Sequence, residues 1–367
     1  MLNKLATALL TATVALASTA ALAADRTVPA GLPKLLPKSM AAPVTPQLNA
    51  PRPQGTMMAP KMAKPGSVDD VINALTAVKA SKGGKVLEVP LPEGLRLMLK
   101  NPVKQGTVTP KPTGGDKSKF SQVNNTEEFP YATMGLLGSG CTGTLVAEHF
   151  VLTAAMCIYD QKNKKFYDDL DFYPGINGDK QPFGKLAWKD AYVPKGFTEK
   201  GDTQFDFGLV VLEPKAADEI GWMGMGHVEK FDFKQLTLTG YPWEGVDAQT
   251  MWQTNCTIDS PEKDYVFYRC PGKGKQLGAM TGSPLWFKGK ADDAWQIVAI
   301  HNFAQDDKMN SWWALRLNET TMETMLSWID DANKGGNTDN GGDNGGGTGG
   351  GTTDNGGGNA DCTCEDN

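Results

Sequence analysis

The residues able to do chemistry are few. The 367-residue chain holds three histidines and six cysteines. Cys141 and Cys157 bracket an apolar run, and Met156 stands immediately before the second of them. Cys256 and Cys270 flank a second apolar segment. The second pair lacks the nearby histidine or further cysteine that a zinc site requires, and no metal and no cofactor is expected. Cys362-Thr363-Cys364 near the C-terminus fits an internal bridge, a cap on a partner or a redox pair, and the sequence does not choose among them. The aspartates before it lack the spacing of a calcium loop. A last group is Gly278-Ala279-Met280-Thr281-Gly282-Ser283-Pro284, where hydroxyl side chains sit among glycines. A hydroxyl there becomes a nucleophile only with a base beside it. The bases on offer are His149, His227 and His301, so the placement of these three decides whether the chain is an enzyme.

The segments that carry these residues differ in texture. Residues 1–23 read as an export signal: Lys4, an alanine-rich apolar run, then Ala21-Leu22-Ala23 as a cleavage site. The run is too short for an anchor, and no later stretch spans a bilayer. The mature protein is expected outside the cytoplasm, secreted or periplasmic, where disulfides persist. Residues 24–118 form a proline- and lysine-rich arm with 14 Lys/Arg against 6 Asp/Glu, which leaves about −15 on residues 119–367. A basic arm on an acidic domain suggests association of the two, although a solvated linker has the same composition. Within the arm, Ser67-Val68-Asp69-Asp70 caps a short helix with Val71, Leu75 and Val78 on one face. KVLEVPLPEGLRLMLK then reads as a hairpin turning at Pro92-Glu93-Gly94, and the whole arm as a prosegment or an appendage.

Residues 119–333 alternate short β-type runs with Gly, Pro, Asn and Asp turns, the pattern of a sandwich or barrel. The region closes on a helix, with Thr320 and Glu323 as its capping box and Met322, Met325, Leu326 and Ile329 on its apolar face. Residues 334–367 are a Gly/Asn/Asp-rich tail.

Taken together, these blocks resemble a known family. GCTGTLVAEHFVLTAAMC is similar to the first-barrel segment of chymotrypsin-fold serine peptidases. NNTEEFPYATMGLL, DFYPGINGDKQPFG, DFGLVVLE, LTGYPWEGVDAQTMWQTNC, GAMTGSPLW, IVAIHNF and NSWWALRLN follow in the family's order. The likeness covers about residues 124–332 and is greater to the glutamyl endopeptidase branch than to digestive trypsins. It implies an all-β fold of two antiparallel six-stranded barrels with a C-terminal helix. It also implies disulfides Cys141–Cys157 and Cys256–Cys270.

The same resemblance assigns roles, and most of them fail. Asp206, in QFDFGLV, matches the triad aspartate. The histidine position carries Met156, whose thioether is no general base. The serine position carries Thr281, whose branched Cβ crowds the attack path. Ala279 stands where the oxyanion glycine belongs, and it resists a positive φ. Met280 cannot make the ion pair that activates zymogens of the trypsin branch. His301 matches the histidine that holds an acidic substrate side chain, and Asn302, Phe303 and Ala304 follow it where glycines are usual, so the resemblance implies that His301 and Asn302 line a narrowed substrate groove. His149 sits at a turn seven residues before Met156, roughly 20 Å along an extended chain. The reading is an exported peptidase homologue, catalytically inactive, that binds a protein or peptide or its own arm. Nucleic acid is not expected as a partner. The alternative is an active endopeptidase of acidic preference with an atypical Thr/Met site, its base supplied by His227 or by a water on Asp206.

Overall fold

The computed structural model describes residues 27, 28, 30, 66–101 and 119–335, except 229, 232–233, 245, 247–248, 272–276, 278, 290–294 and 307–310. The signal segment 1–23, the rest of the arm and the tail with Cys362 and Cys364 lie outside the described residues.

Two β-systems form the domain. In the second, Trp295–Asp306, Pro284–Lys288, Gln235–Gly240, Trp252–Pro261, Tyr265–Arg269 and Ser311–Arg316 pair in that order, and the last pairs again with the first. This is a closed antiparallel barrel of six strands. In the first, Phe172–Pro174, Met134–Leu137, Thr142–Ala147, Phe150–Thr153, Gly208–Leu212 and Trp188–Pro194 pair in order. A bridge between Phe172 and Leu186 ties the two ends of that row together. The expected two-barrel, chymotrypsin-like fold is therefore present. Inward faces are filled by β-branched and aromatic side chains such as Val151, Val210 and Phe172, each fully buried.

The arm adds to the first barrel more than its composition suggests. Ala77–Ser81 pairs with Trp188–Pro194, and Val86–Val89 pairs with Ala77–Ser81. The hairpin expected around Pro92 is thus one turn earlier, at residues 82–85, and Glu93–Lys100 is a helix. Pro90 and Pro92 stop the strand because neither can donate to a ladder. Glu93 in the first turn and Lys100 in the last then suit the helix dipole. The preceding helix, Val68–Leu75, has the expected capping box, Ser67 and Asp70 bonding reciprocally. It ends before Val78, which belongs to the strand. Ile72, Leu75, Ala77, Leu91 and Leu95 all join the core.

The arm's lysines reach barrel carboxylates. Lys82 lies 3.3 Å from Asp171, and Lys79 lies 3.5 Å from Asp331 and 3.9 Å from Asp190. In return the barrel's Lys195 sits 2.7 Å from Glu88 of the arm. The C-terminal helix, Glu319–Gly335, starts one residue before Thr320. Its cap is Asn318, whose side-chain oxygen accepts from the Thr321 N–H at 2.9 Å, so the Thr320–Glu323 box is not the start. Its anchor is Trp328, stacked on Tyr192 and Phe207 of the first barrel at 5.9 and 5.4 Å.

Candidate active site

The site is assembled where the two barrels meet. Strand Phe150–Thr153 runs into a single 3₁₀ turn, Ala155–Cys157, that carries Met156. The disulfide Cys141–Cys157 pins this turn to the neighbouring strand, with Cα atoms 5.8 Å apart. Cys256–Cys270 ties the second barrel.

Asp206 follows another 3₁₀ turn, Thr203–Phe205, and is 3% exposed. Its carboxylate accepts from the Met156 backbone N–H at 2.9 Å and from the Asn302 amide at 2.6 Å. The Ala155 N–H adds a third, weaker contact. The aspartate therefore holds the turn by its backbone rather than by any side chain on it. Burial still pushes its pKa up to about 6, against the lowering effect of these donors.

Asn302 is the residue whose role the sequence conceals. Its position in strand Trp295–Asp306 suggested the wall of a substrate groove. Instead its amide nitrogen faces Asp206, and its oxygen accepts from the Leu315 N–H at 3.0 Å. It bridges the retained carboxylate to the next strand of the second barrel. An asparagine in a strand carries no local signal for such a cross-barrel contact.

His301 is fully buried. Its Nε2 lies 2.8 Å from the Leu277 carbonyl, which only accepts, so this nitrogen carries the proton. Nδ1 is then the acceptor for the Tyr268 hydroxyl. Burial lowers the ring's pKa to about 4, so it is neutral at pH 7. Both nitrogens are engaged within the protein.

The hydroxyl loop lies against the same turn. The Thr281 carbonyl accepts from the Thr142 N–H at 3.0 Å, and the Gly282 N–H donates to the His301 carbonyl at 2.9 Å. Gly282 has φ +84°, and a Cβ there would stand 2.2 Å from the Thr142 oxygen and 3.4 Å from Cys157 Sγ. Only glycine fits. Thr281 is 2% exposed, and its Oγ1 has no hydrogen-bond partner. Ala279 and Met280 are buried beside it. Lys164 is the one non-glycine at positive φ among the described residues, so Ala279 keeps ordinary backbone geometry.

The structure thus gathers Met156, Asp206, Asn302, Thr281 and His301 about one junction. It leaves His149 at the turn between Thr142–Ala147 and Phe150–Thr153, at the far end of the strand from Met156. His227 follows strand Gly224–Gly226 beside the second barrel. Among the described residues no cluster of His, Cys, Asp or Glu could hold a metal ion.

This two-barrel architecture, with a disulfide-pinned turn beside a buried aspartate, is that of the chymotrypsin-fold proteins. Residues 120–263 match the family model named Trypsin, a span that includes Met156 and Asp206 and stops short of Thr281. The chain carries a trypsin-like serine protease domain.

Three curated relatives each align with about half of this chain. The "Extracellular metalloprotease" of Bacillus subtilis is 30% identical over 192 residues, 49% of this chain and 59% of the relative. The "Glutamyl endopeptidase" of Bacillus licheniformis is 28% identical over 170 residues, 45% of this chain and 52% of the relative. "Inactive serine protease 35" of Rattus norvegicus is 23% identical over 246 residues, 51% of this chain and 60% of the relative. The chain spans between half and three fifths of the length of these relatives.

Proposed function

We propose that this protein is a non-catalytic member of its fold family, exported from the cytoplasm and acting by binding a protein or peptide. The observation that carries the reading is the way Asp206 is used. Its oxygens take the Met156 backbone N–H and the Asn302 amide, so the carboxylate is satisfied with no imidazole between it and a hydroxyl. A nucleophilic hydroxyl needs a base within about 3 Å. Thr281 Oγ1 has none, and the Met156 thioether accepts no proton in a useful range. A water on Asp206 is a poor substitute, because the group is 3% exposed. Peptidase turnover above background is therefore not expected.

Export is supported by the basic start, apolar run and Ala-x-Ala of residues 1–23, and by two disulfides. Among the described residues no helix is long and apolar enough to cross a membrane. The arm is the domain's own first partner in this reading. Its strand Ala77–Ser81 lies between Trp188–Pro194 and Val86–Val89, and its lysines neutralise buried barrel carboxylates.

The test is activity-based labelling of the purified mature protein with a fluorophosphonate, beside cleavage of casein and of a Glu-containing peptide panel. Wild type and Thr281→Ala should be equally silent. Cleavage by wild type that Thr281→Ala loses would establish an active enzyme and end the non-catalytic reading.

A further inference from the structure

An open pocket of about 460 Å³ lies between the arm and the barrel, and neither Thr281 nor Asp206 lines it. Its floor is the arm hairpin, through Val78, Ala80 and Val86. Its opposite wall is the small hairpin Tyr159–Asp160 with Lys165–Phe166, which begins one residue after the Met156 turn. Tyr159, Phe166, Tyr167 and Trp188 give it aromatic sides. A space of this size and lining takes a small ligand or two to three side chains.

Two features say what chemistry it would take. The first is cationic. Lys82, Lys164 and Lys165 all line the cavity. Lys82 and Lys165 face Asp171 and Asp168, each at 3.3 Å. Lys164 has only neutral acceptors: Gln161 Oε1 at 2.7 Å and the Thr198 and Glu199 carbonyls at 3.2 and 3.4 Å. Its backbone is held at φ 52°, a strained conformation for a non-glycine residue. The second is an unmet donor. Trp188 is 4% exposed, and its indole N–H has no acceptor among the described residues. Buried indole N–H groups ordinarily find one.

We propose that this cavity binds an acidic peptide segment, a carboxylate meeting Lys164 while an adjacent aromatic or aliphatic side chain lies between the rings. This rests on the binding role proposed above, but it moves the site from the remnant cleft to the arm–barrel seam. Because six of the fourteen lining residues come from the arm, the site exists only while the arm is docked. Charge-assisted contact with an ammonium that has no carboxylate of its own is the selective element.

The probe is acetyl-Glu-Phe-amide, titrated into the full mature chain by calorimetry or ligand-observed NMR, with acetyl-Gln-Phe-amide and phenylacetate alongside. Saturable binding of the Glu peptide is expected, weakened at least fivefold in the Gln peptide and in Lys164→Gln. Val86→Trp, at an exposed edge position, should abolish it, and Thr281→Ala should leave it unchanged. Thermal melts of each variant separate lost binding from lost fold, and Lys164→Asn, which tolerates the left-handed backbone, serves if Lys164→Gln melts early. No saturable binding, or equal binding by Lys164→Gln and Val86→Trp, overturns the assignment. So does phenylacetate binding as tightly as the peptide, which assigns the cavity to small acids. Binding that appears only after removal of residues 336–367 places the acidic tail there instead. Peptide cleavage by wild type would sink the non-catalytic reading and leave this titration to be judged separately.

Discussion

Asp206 keeps a carboxylate in a buried site where its contacts are backbone N–H groups and an amide rather than an imidazole. Its three donors explain this, since deleting it would orphan two backbone N–H groups and the Asn302 amide in a buried site. Ionisation is nonetheless disfavoured by burial, with the pKa raised from 3.8 to about 6. A raised carboxylate pKa means that its stabilising contribution is complete below about pH 4 and is lost as pH rises through 6. At pH 7 the loss is on the order of 3 kcal/mol. His301 runs the other way: its lowered pKa gives stability above pH 6.5 that is lost as pH falls toward 4. In Asp206→Asn the histidine term remains and the carboxylate term is gone. The variant's melting temperature should therefore rise relative to wild type between pH 4.5 and 7, read from paired calorimetric scans. A constant or falling difference would show that Asp206 is not held in that environment.

At the scale of elements, the loop Thr281–Gly282–Ser283 and the arm hairpin are the pieces that the rest depends on. Gly282→Ala must accept a strained φ and a contact with the Thr142 carbonyl, so it should destabilise by more than about 2 kcal/mol, measured by urea titration. Asn302→Ala should cost roughly 1–3 kcal/mol, because it frees the Leu315 N–H and removes a donor from Asp206 in one step. In the arm, Leu75 is 2% exposed within the first-barrel core, and Leu75→Ala should cost roughly 2–5 kcal/mol. A value near zero for Leu75→Ala would mean that the arm helix is not packed there.

At the scale of the molecule, the arm and barrel form one cooperative body. Nicking between residues 102 and 118 should leave fragments that co-elute on gel filtration, since a central strand, five core side chains and four ion pairs join them. Separation of the arm without denaturant would show it to be a removable prosegment. Replacing both Cys141 and Cys157 with serine should cost about 3 kcal/mol, as expected for a closed loop of 16 residues.

Short runs between turn residues were enough for a sandwich or barrel, and the two six-stranded barrels came with the resemblance that GCTGTLVAEHFVLTAAMC and the blocks after it carry. That Met156 precedes Cys157 is a fact of composition, but that Asp206 meets the Met156 backbone and the Asn302 amide needed the fold. Other features needed the tertiary structure. KVLEVPLPEGLRLMLK supports either strand or helix after Pro92, and only the core pocket for Leu95 chose the helix. Ala77–Ser81 is an ordinary short strand in sequence, and only the open edge of Trp188–Pro194 made it part of the barrel. Asn302 on Asp206 and the seam lined by Lys164 and Trp188 join residues about 100 and 24 positions apart. Local pattern reports backbone preference and which face is apolar, whereas such contacts follow from how whole elements pack. Residue types were therefore legible before folding, and the contacts that join them were decided by how the arm and the two barrels pack.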